Sequence, residues 1–331
     1  MSVLVTGGAG YIGSHTVAEL VSHGEQVVVV DNLTTGHREA VLDGVPFYDC
    51  DIRESEQMRK IIRQHEVDSV IHFAANSLVG ESVQNPLKYY ENNVGATTRL
   101  LSVMVETGVK RIVFSSTAAV YGEPERMPID ERDRKTPTNP YGETKLAIEK
   151  MMDWSYEAYG LQSVRLRYFN AAGAHPDLPI GEDHNPETHL IPIILQTALG
   201  QREQVSIFGS DYPTEDGTCV RDYIHVMDLA SAHRLAVERL RSGQVTAESY
   251  NLGNGNGFSV QTVIEVARKV TEIAIPAEKA DRRAGDPAVL VASSNEAKRA
   301  LNWNPQFDDL ETMVATAWKW HKSHPAGYAG N

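Results

Sequence analysis

A chain of 331 residues is long enough to bury a sizeable core in one large or two modest domains. Its 41% hydrophobic and 23% charged residues are those of an ordinary globular protein, and a formal net charge of -13 makes its average surface repel phosphate backbones and anionic lipid. Nucleic-acid and membrane partners are therefore not expected, and any site for an anionic ligand must gather its positive charge locally.

Two cysteines, Cys50 and Cys219, stand far apart and in no CxxC pattern, which argues against a disulfide framework or a thiolate metal site. The first apolar run follows no basic leader and no stretch approaches membrane-spanning length, so a cytoplasmic location is expected.

In chain order, short runs rich in Val and Ile stand at 3–5, 27–30, 70–71, 112–114 and 164–166. Stretches of helical period at 12–23, 54–64, 87–107 and 141–159 lie between them. Short buried strands alternating with helices predict an α/β fold with a Rossmann-type, doubly wound parallel sheet and helices on both faces. After about Tyr168 the character changes. Residues 171–189 are rich in Gly, Pro and Asp and suggest a loop leaving the sheet. Helices at 190–199, 227–240, 260–271 and 310–321, with a strand at 205–208, predict a smaller α/β cap packed on the sheet around a shared cleft.

The segment Gly7-Gly8-Ala9-Gly10-Tyr11-Ile12-Gly13 follows the first strand and opens the first helix. Gly7 permits the tight turn, Gly10 lets backbone approach a pyrophosphate, and Gly13 lets helix and strand pack closely. Glycine-rich turns alone are a weak signal. Asp31 strengthens it, closing the next strand eighteen residues after Gly13. A carboxylate there accepts ribose hydroxyls and repels a 2′-phosphate, so NAD is expected rather than NADP, even with His37 and Arg38 nearby.

Ser115-Ser116-Thr117 lies just past a strand, at the sheet edge where such folds bind ligands. Downstream, Asn139-Pro140-Tyr141-Gly142-Glu143-Thr144-Lys145 begins a helix, with Asn139 as N-cap and Pro140 at its first position. Tyr141 and Lys145, four apart, share a face. A free tyrosine, with a pKa near 10, is a poor base at neutral pH, and lowering it by roughly three units takes about 4 kcal/mol of phenolate stabilisation. A lysine cation about 5 Å away contributes on the order of 3 kcal/mol at an effective dielectric near 20. The positive nicotinamide supplies the remainder, and Thr117 hydrogen-bonds the substrate hydroxyl. Singly, each piece has a structural explanation, such as a half-buried tyrosine or a loop hydroxyl. Together, and in this order behind a glycine-rich loop, they point to catalysis by Thr117, Tyr141 and Lys145.

These residues make the chain resemble the extended short-chain dehydrogenase/reductase family over nearly its whole length. The most specific stretches are Arg167-Tyr168-Phe169-Asn170-Ala171-Ala172-Gly173-Ala174, Asp211-Tyr212-Pro213-Thr214-Glu215-Asp216-Gly217-Thr218, Val220-Arg221-Asp222-Tyr223-Ile224-His225-Val226 and Arg282-Arg283-Ala284-Gly285-Asp286. The resemblance is to the branch that inverts C4 of UDP-hexoses. It implies interconversion of UDP-galactose and UDP-glucose through a 4-keto sugar on a tightly held NAD. It also implies an NAD-binding domain over 1–170 and a mainly UDP-sugar-binding domain over 171–331, with segments that interleave.

Further cofactor contacts are implied at Tyr11, Ile12, Asn32, Asp51, Ile52, Phe73, Ala74, Asn92 and Phe169, besides Tyr141 and Lys145. The uridine diphosphate is implied to lie near Asn170, His189, Leu190, Ile207, Phe208, Arg221, Arg283 and Asp286. Guanidinium forks suit phosphate oxygens. Two positions depart from the family pattern. Ser77 stands in a segment that lacks the lysine many members carry near the nicotinamide, and His189 replaces an asparagine.

Family dehydratases place an Asp-Glu pair after the catalytic threonine for elimination. Here Ala118 and Ala119 occupy those positions, which disfavours that activity. A non-catalytic NAD sensor would keep the glycine loop but have little need of Tyr141 and Lys145. Leu290 aligns with the residue bordering the sugar's 2-substituent, and its small size implies some turnover of UDP-N-acetylglucosamine and UDP-N-acetylgalactosamine. A homodimer through 87–107 and 141–159 is implied by resemblance. No metal is expected: there is no HExxH, and His184 and His189, five apart in a loop, are read as loop or substrate residues.

Overall fold

The computed structural model describes residues 1–243, 245–283 and 287–328. Strands β1 (Ser2–Thr6), β2 (Val27–Asp31), β3 (Phe47–Asp49), β4 (Val67–His72), β5 (Arg111–Ser115) and β6 (Gln162–Tyr168) are laid down first. The short β7 (Asn170–Ala172), β8 (Val205–Phe208), β9 (Val220–Arg221) and β10 (Tyr223–His225) follow, and then β11 (Ala247–Leu252). The last strands are β12 (Phe258–Ser259), β13 (Ala277–Ala280) and β14 (Val289–Leu290). β11, β6, β5, β4, β1, β2 and β3 stand side by side in one sheet, every neighbouring pair parallel. The reversal of order between β1 and β4 opens a crevice at the strands' C-terminal ends, where α/β sheets bind ligands.

The all-buried patterns of β1 and β2 follow from helices on both faces. Alternate residues face opposite ways along a strand. Val3, Val5 and Val29 thus join one core, and Leu4, Val28 and Val30 the other. The first core receives Val17 and Leu20 of α1 (Tyr11–Ser22); the second receives α2 (Ser55–Gln64). Then come α3 (Val79–Gln84), α4 (Pro86–Tyr89), α5 (Ala96–Thr107), α6 (Pro140–Tyr159), α7 (Leu190–Ala198) and α8 (Val226–Arg241), followed by α9 (Val260–Thr271), α10 (Asn295–Leu301) and α11 (Leu310–Ser323). α5 and α6 complete the second core.

The chain crosses back late. Leu229, Ala232, Ala236, Val237 and Leu240 of α8 join the first core beside α1, and Arg241 clamps the end of α8 to Asp68 at 2.8 Å and Glu25 at 2.6 Å. β11 then closes the sheet beside β6. A third core, from α7, α9 and α11 with Val205, Ile207 and Tyr223, holds the smaller layer. Its short sheets are β7 with β10, β8 with β13, and β9 between β12 and β14.

One expected helix is broken. The stretch 87–107 is α4, then a π-helical turn over Tyr90–Gly95, then α5. Buried Asn93 bonds outside the helix, to the Asn76 backbone at 2.8 and 3.0 Å and to Thr144 at 3.1 Å, which is the kind of demand a π turn meets. Among the described residues no helix is long and apolar enough to cross a membrane.

Candidate active site

The glycine loop is shaped by contact. Gly7 has φ +75°, and a Cβ there would meet the Ala74 amide nitrogen at 2.6 Å. At Gly13 a Cβ would stand 2.1 Å from the Gly7 carbonyl oxygen. At Gly10 nothing lies nearer than 3.4 Å, so backbone is open to a ligand. Gly10 caps α1 without a side-chain hydrogen bond, and the first turn carries no acidic residue. Its free amides and positive dipole end suit a pyrophosphate.

Asp31 ends β2 nearly buried, its Oδ2 accepting from the Ala9 amide at 3.0 Å and its Oδ1 from Leu33 at 2.9 Å. Burial raises its pKa and those amides oppose the rise. Next to it Asn32 donates to Asp51 at 3.1 Å, the Arg53 hydrogen bond holds Asp51 down to about 2, and Ile52 is buried. Arg38 stacks on Phe47 and His37 on Tyr328. The Phe73 and Ala74 amides donate to the Thr6 carbonyl at 2.9 and 3.1 Å, which sets both residues at the end of β4. Bare turn, uncapped helix start and anchored carboxylate together fit a dinucleotide.

At the end of β5, Thr117 caps a 3-10 turn over Ala118–Tyr121, its Oγ1 accepting from the Ala119 amide at 3.1 Å. Asn139 caps α6 by accepting from the Gly142 amide at 2.9 Å, with Pro140 at the first position. This start directs Tyr141 to Thr117. Burial pushes the phenol's pKa up, and a hydrogen bond with Thr117 pulls it back. One turn on, Lys145 is 3% exposed; its Nζ donates to the Ser115 carbonyl at 2.8 Å and stands 5.9 Å from the Tyr141 ring centre. Burial draws the ammonium down to about 7, with Glu149 opposing. Thr117, Tyr141 and Lys145 thus converge.

The smaller layer carries the residues expected to meet the uridine diphosphate. β7 continues from Phe169, and the Asn170 side chain donates to the Asp222 carbonyl at 3.0 Å. Arg283 lies over the Phe208 ring at 4.0 Å, with Ile207 buried in the same strand. Arg221 lies on β9, its Nη1 donating to the Val220 carbonyl at 2.7 Å. The Asp222 carboxylate accepts from the amides of Asn254, Gly255 and Ala292 and so stitches loops together. Leu290 packs on the cluster of Ala118, Val120 and Tyr121, beside the Thr117 turn. Leu190 starts α7. His189 caps that helix, its Nδ1 2.9 Å from Glu182 and 3.0 Å from Glu187. Asp286 lies outside the described residues.

Residues 3–253 match the model of the NAD dependent epimerase/dehydratase family. The chain belongs to that family. It is 65% identical to a UDP-glucose 4-epimerase of Halalkalibacterium halodurans over 99% of this chain and 98% of that protein. A crystal structure of a UDP-glucose 4-epimerase, 54% identical, superposes with a TM-score of 0.97 over 99% of both chains. A UDP-glucose 4-epimerase from Bifidobacterium longum, solved in complex with NAD+ and UDP, is 38% identical with a TM-score of 0.93 over 99% of this chain and 100% of that one. The cofactor of this family is NAD, which the loop geometry fits.

Behind these residues stands a buried polar network whose roles the sequence does not declare. Glu149 is buried four residues after Lys145, continuing the Tyr141–Lys145 face. It grips Arg167 in a two-pronged pair, Nη2 at 2.6 Å and Nε at 2.9 Å, and accepts from Ser116 at 2.6 Å. Arg167 also donates to the Tyr121 hydroxyl at 2.8 Å, which donates to Asn251 at 2.7 Å. This network locks β5, β6, β11 and α6 behind Lys145. The continuing i, i+4 spacing was its one legible sign. Asn93 was the other omission; its neighbour Asn92, half-buried, donates to it at 3.2 Å.

Proposed function

We propose that the chain is an NAD-dependent 4-epimerase that interconverts UDP-galactose and UDP-glucose through a 4-keto sugar. The observation that carries this reading is the Tyr141–Lys145 pair meeting Thr117 at the sheet edge the glycine loop opens onto. Thr117 holds the sugar 4-hydroxyl, and the Tyr141 oxygen takes its proton and later returns it. Lys145 stabilises the phenolate, itself held by the Ser115 carbonyl and the charge of Glu149. Bound NAD supplies the acceptor and donor of hydride at C4, and a positive charge beside the phenol. Gly7, Gly10, Tyr11, Ile12, Gly13, Asp31 and Asn32 would hold it, with Asp51, Ile52, Phe73, Ala74, Asn92 and Phe169. Asn170, His189, Leu190, Ile207, Phe208, Arg221 and Arg283 would hold the uridine diphosphate, the arginines supplying the local positive charge that an acidic chain otherwise lacks. Ala118 and Ala119 leave no acid–base pair for elimination.

Tyr141→Phe should abolish turnover of UDP-galactose while UDP binding, followed by calorimetry, persists. Normal activity in that variant contradicts the assignment. The short Leu290 side chain beside the Thr117 turn supports turnover of N-acetylated UDP-hexoses as well. A coupled assay that converts UDP-galactose but no UDP-N-acetylglucosamine would refute this.

The active form we propose is a homodimer in the cytoplasm. On the helices expected to pair, Leu87 is 79% and Trp154 75% exposed, apolar surface of the kind that marks interfaces. Light scattering giving a monomer mass would refute the dimer.

A further inference from the structure

Between the smaller layer and the glycine loop lies a cluster of which the proposed function uses only His189. Glu182, His184, Glu187 and His189 stand within eight residues of sequence, and one ligand atom from each falls within 4.8 Å of the others. Both glutamates are buried, at 5% and 3% side-chain exposure, without a lysine or arginine ion pair among the described residues. The facing nitrogens are His184 Nδ1, at 3.2 Å from Glu182 and 3.6 Å from Glu187, and His189 Nδ1, at 2.9 and 3.0 Å from the same two.

We propose that Glu182, His184, Glu187 and His189 form a tetrahedral site for a divalent ion of the zinc class, which clamps the start of α7 beneath the glycine loop. A tetrahedral ion with bonds of about 2.0–2.1 Å spaces its ligand atoms about 3.3 Å apart. His189 Nδ1 lies 2.9 Å from Glu182 Oε1 and 3.0 Å from Glu187 Oε1, and His184 Nδ1 lies 3.2 Å from Glu182 Oε1 and 3.6 Å from the other Glu187 oxygen, distances that scatter about that edge. Two imidazoles and two carboxylates are a donor set such an ion accepts, and its charge cancels that of the glutamates.

Two independent features point to the same occupant. His184 Nδ1 is sealed from solvent and makes no aligned hydrogen bond, though carboxylate oxygens surround it. A lone pair aimed at a metal needs no proton. Glu187 Oε1 accepts from the amides of Thr188 and His189 at 2.7 and 2.8 Å, so the carboxylate is oriented as a ligand is. The other way to neutralise the glutamates is a proton on each imidazole. It sets two cationic rings with centres 5.1 Å apart, their planes tilted by 53°, in a partly buried site. On this proposal His184 and His189, expected from sequence to be loop or substrate residues, also hold an ion.

The clamp joins two parts of the cleft. The Tyr11 ring stands edge-on to His184 at 6.2 Å, and its hydroxyl donates to the Gly173 carbonyl at 2.6 Å. The ion is structural: it fixes where α7 begins relative to the helix that opens the cofactor site.

The test uses the full chain produced without a metal-binding tag, dialysed against Zn2+ and then against metal-free buffer. Elemental analysis should find about one zinc per chain, and the melting temperature should fall when a chelator removes it. Co2+ in place of zinc should give the visible absorption of a tetrahedral ion. His184→Asn and Glu182→Gln should each lower bound metal at least about tenfold, with circular dichroism showing both folded. Less than about 0.1 equivalent in the folded wild-type chain after loading overturns the proposal and leaves a protonated imidazole–carboxylate network. Undiminished metal in both variants overturns it too, by placing the ion elsewhere.

Discussion

Lys145 is drawn down to about 7 by burial while the Tyr141 phenol is pushed above its ordinary range. The two are best treated as one unit sharing protons. Lys145 alone gives up its proton near 7; where the proton leaves Tyr141 instead, the phenolate–ammonium form that remains is the competent base. The turnover number should therefore rise with pH through that region and level off above it. In Lys145→Met the limb should move toward or beyond the ordinary tyrosine value of about 10. A pH–rate profile with an unmoved limb would contradict the pairing. Glu149 and Arg167 set a second test: Glu149→Gln leaves a buried guanidinium uncompensated and should cost about 3–5 kcal/mol in denaturant unfolding. Glu149→Gln with Arg167→Met should recover part of that loss. Thr117, Tyr141 and Lys145 were legible because their chemistry demands particular residue types at particular spacings. The roles of Glu149, Arg167 and Asn93 were not, because a buried polar residue declares its role only once its partners from distant parts of the chain are known.

At the scale of elements, strands β1, β2 and β5 could be read because buried parallel strands carry unbroken apolar runs, and β6 from Val164 and Leu166 alternating with polar residues. β3, with its Phe-Tyr-Asp sequence, sits at the sheet edge and carries no such run. β11, Ala-Glu-Ser-Tyr-Asn-Leu, is mixed for the same edge reason, and its pairing with β6 depends on a return from the smaller layer. The π turn at Tyr90–Gly95 was invisible because periodicity continues on both sides of it. Its test is Asn93→Ala. That change removes both bonds to Asn76 and the bond to Thr144, and should lower cofactor retention measurably more than stability predicts for one lost polar residue. Gly13→Ala is sharper, because the added Cβ would lie 2.1 Å from the Gly7 carbonyl and must open the turn. Protein purified from that variant should release far less NAD on denaturation, read by enzymatic cycling of the supernatant. Wild-type content would contradict the role given to this turn.

For the molecule as a whole, the two layers are sewn together rather than strung in series. α8 and β11 lie beyond the smaller layer's first strands, yet they complete the main sheet and its core. Opening one layer would strip the other, so unfolding should be a single cooperative event. The same interleaving puts Leu290 against the Thr117 turn and Asn170 against β9 and β10, so the substrate side and the reacting groups share one rigid frame. A frame of this kind suits a reaction that must hold its cofactor through a full cycle, since losing it midway would strand a ketone. The most direct measurement is to incubate the purified chain with UDP-galactose, with no NAD added, and follow the products by nuclear magnetic resonance. UDP-glucose should appear and approach an equilibrium mixture without net oxidation. A chain that retains NAD and binds UDP yet leaves UDP-galactose unchanged would contradict the account.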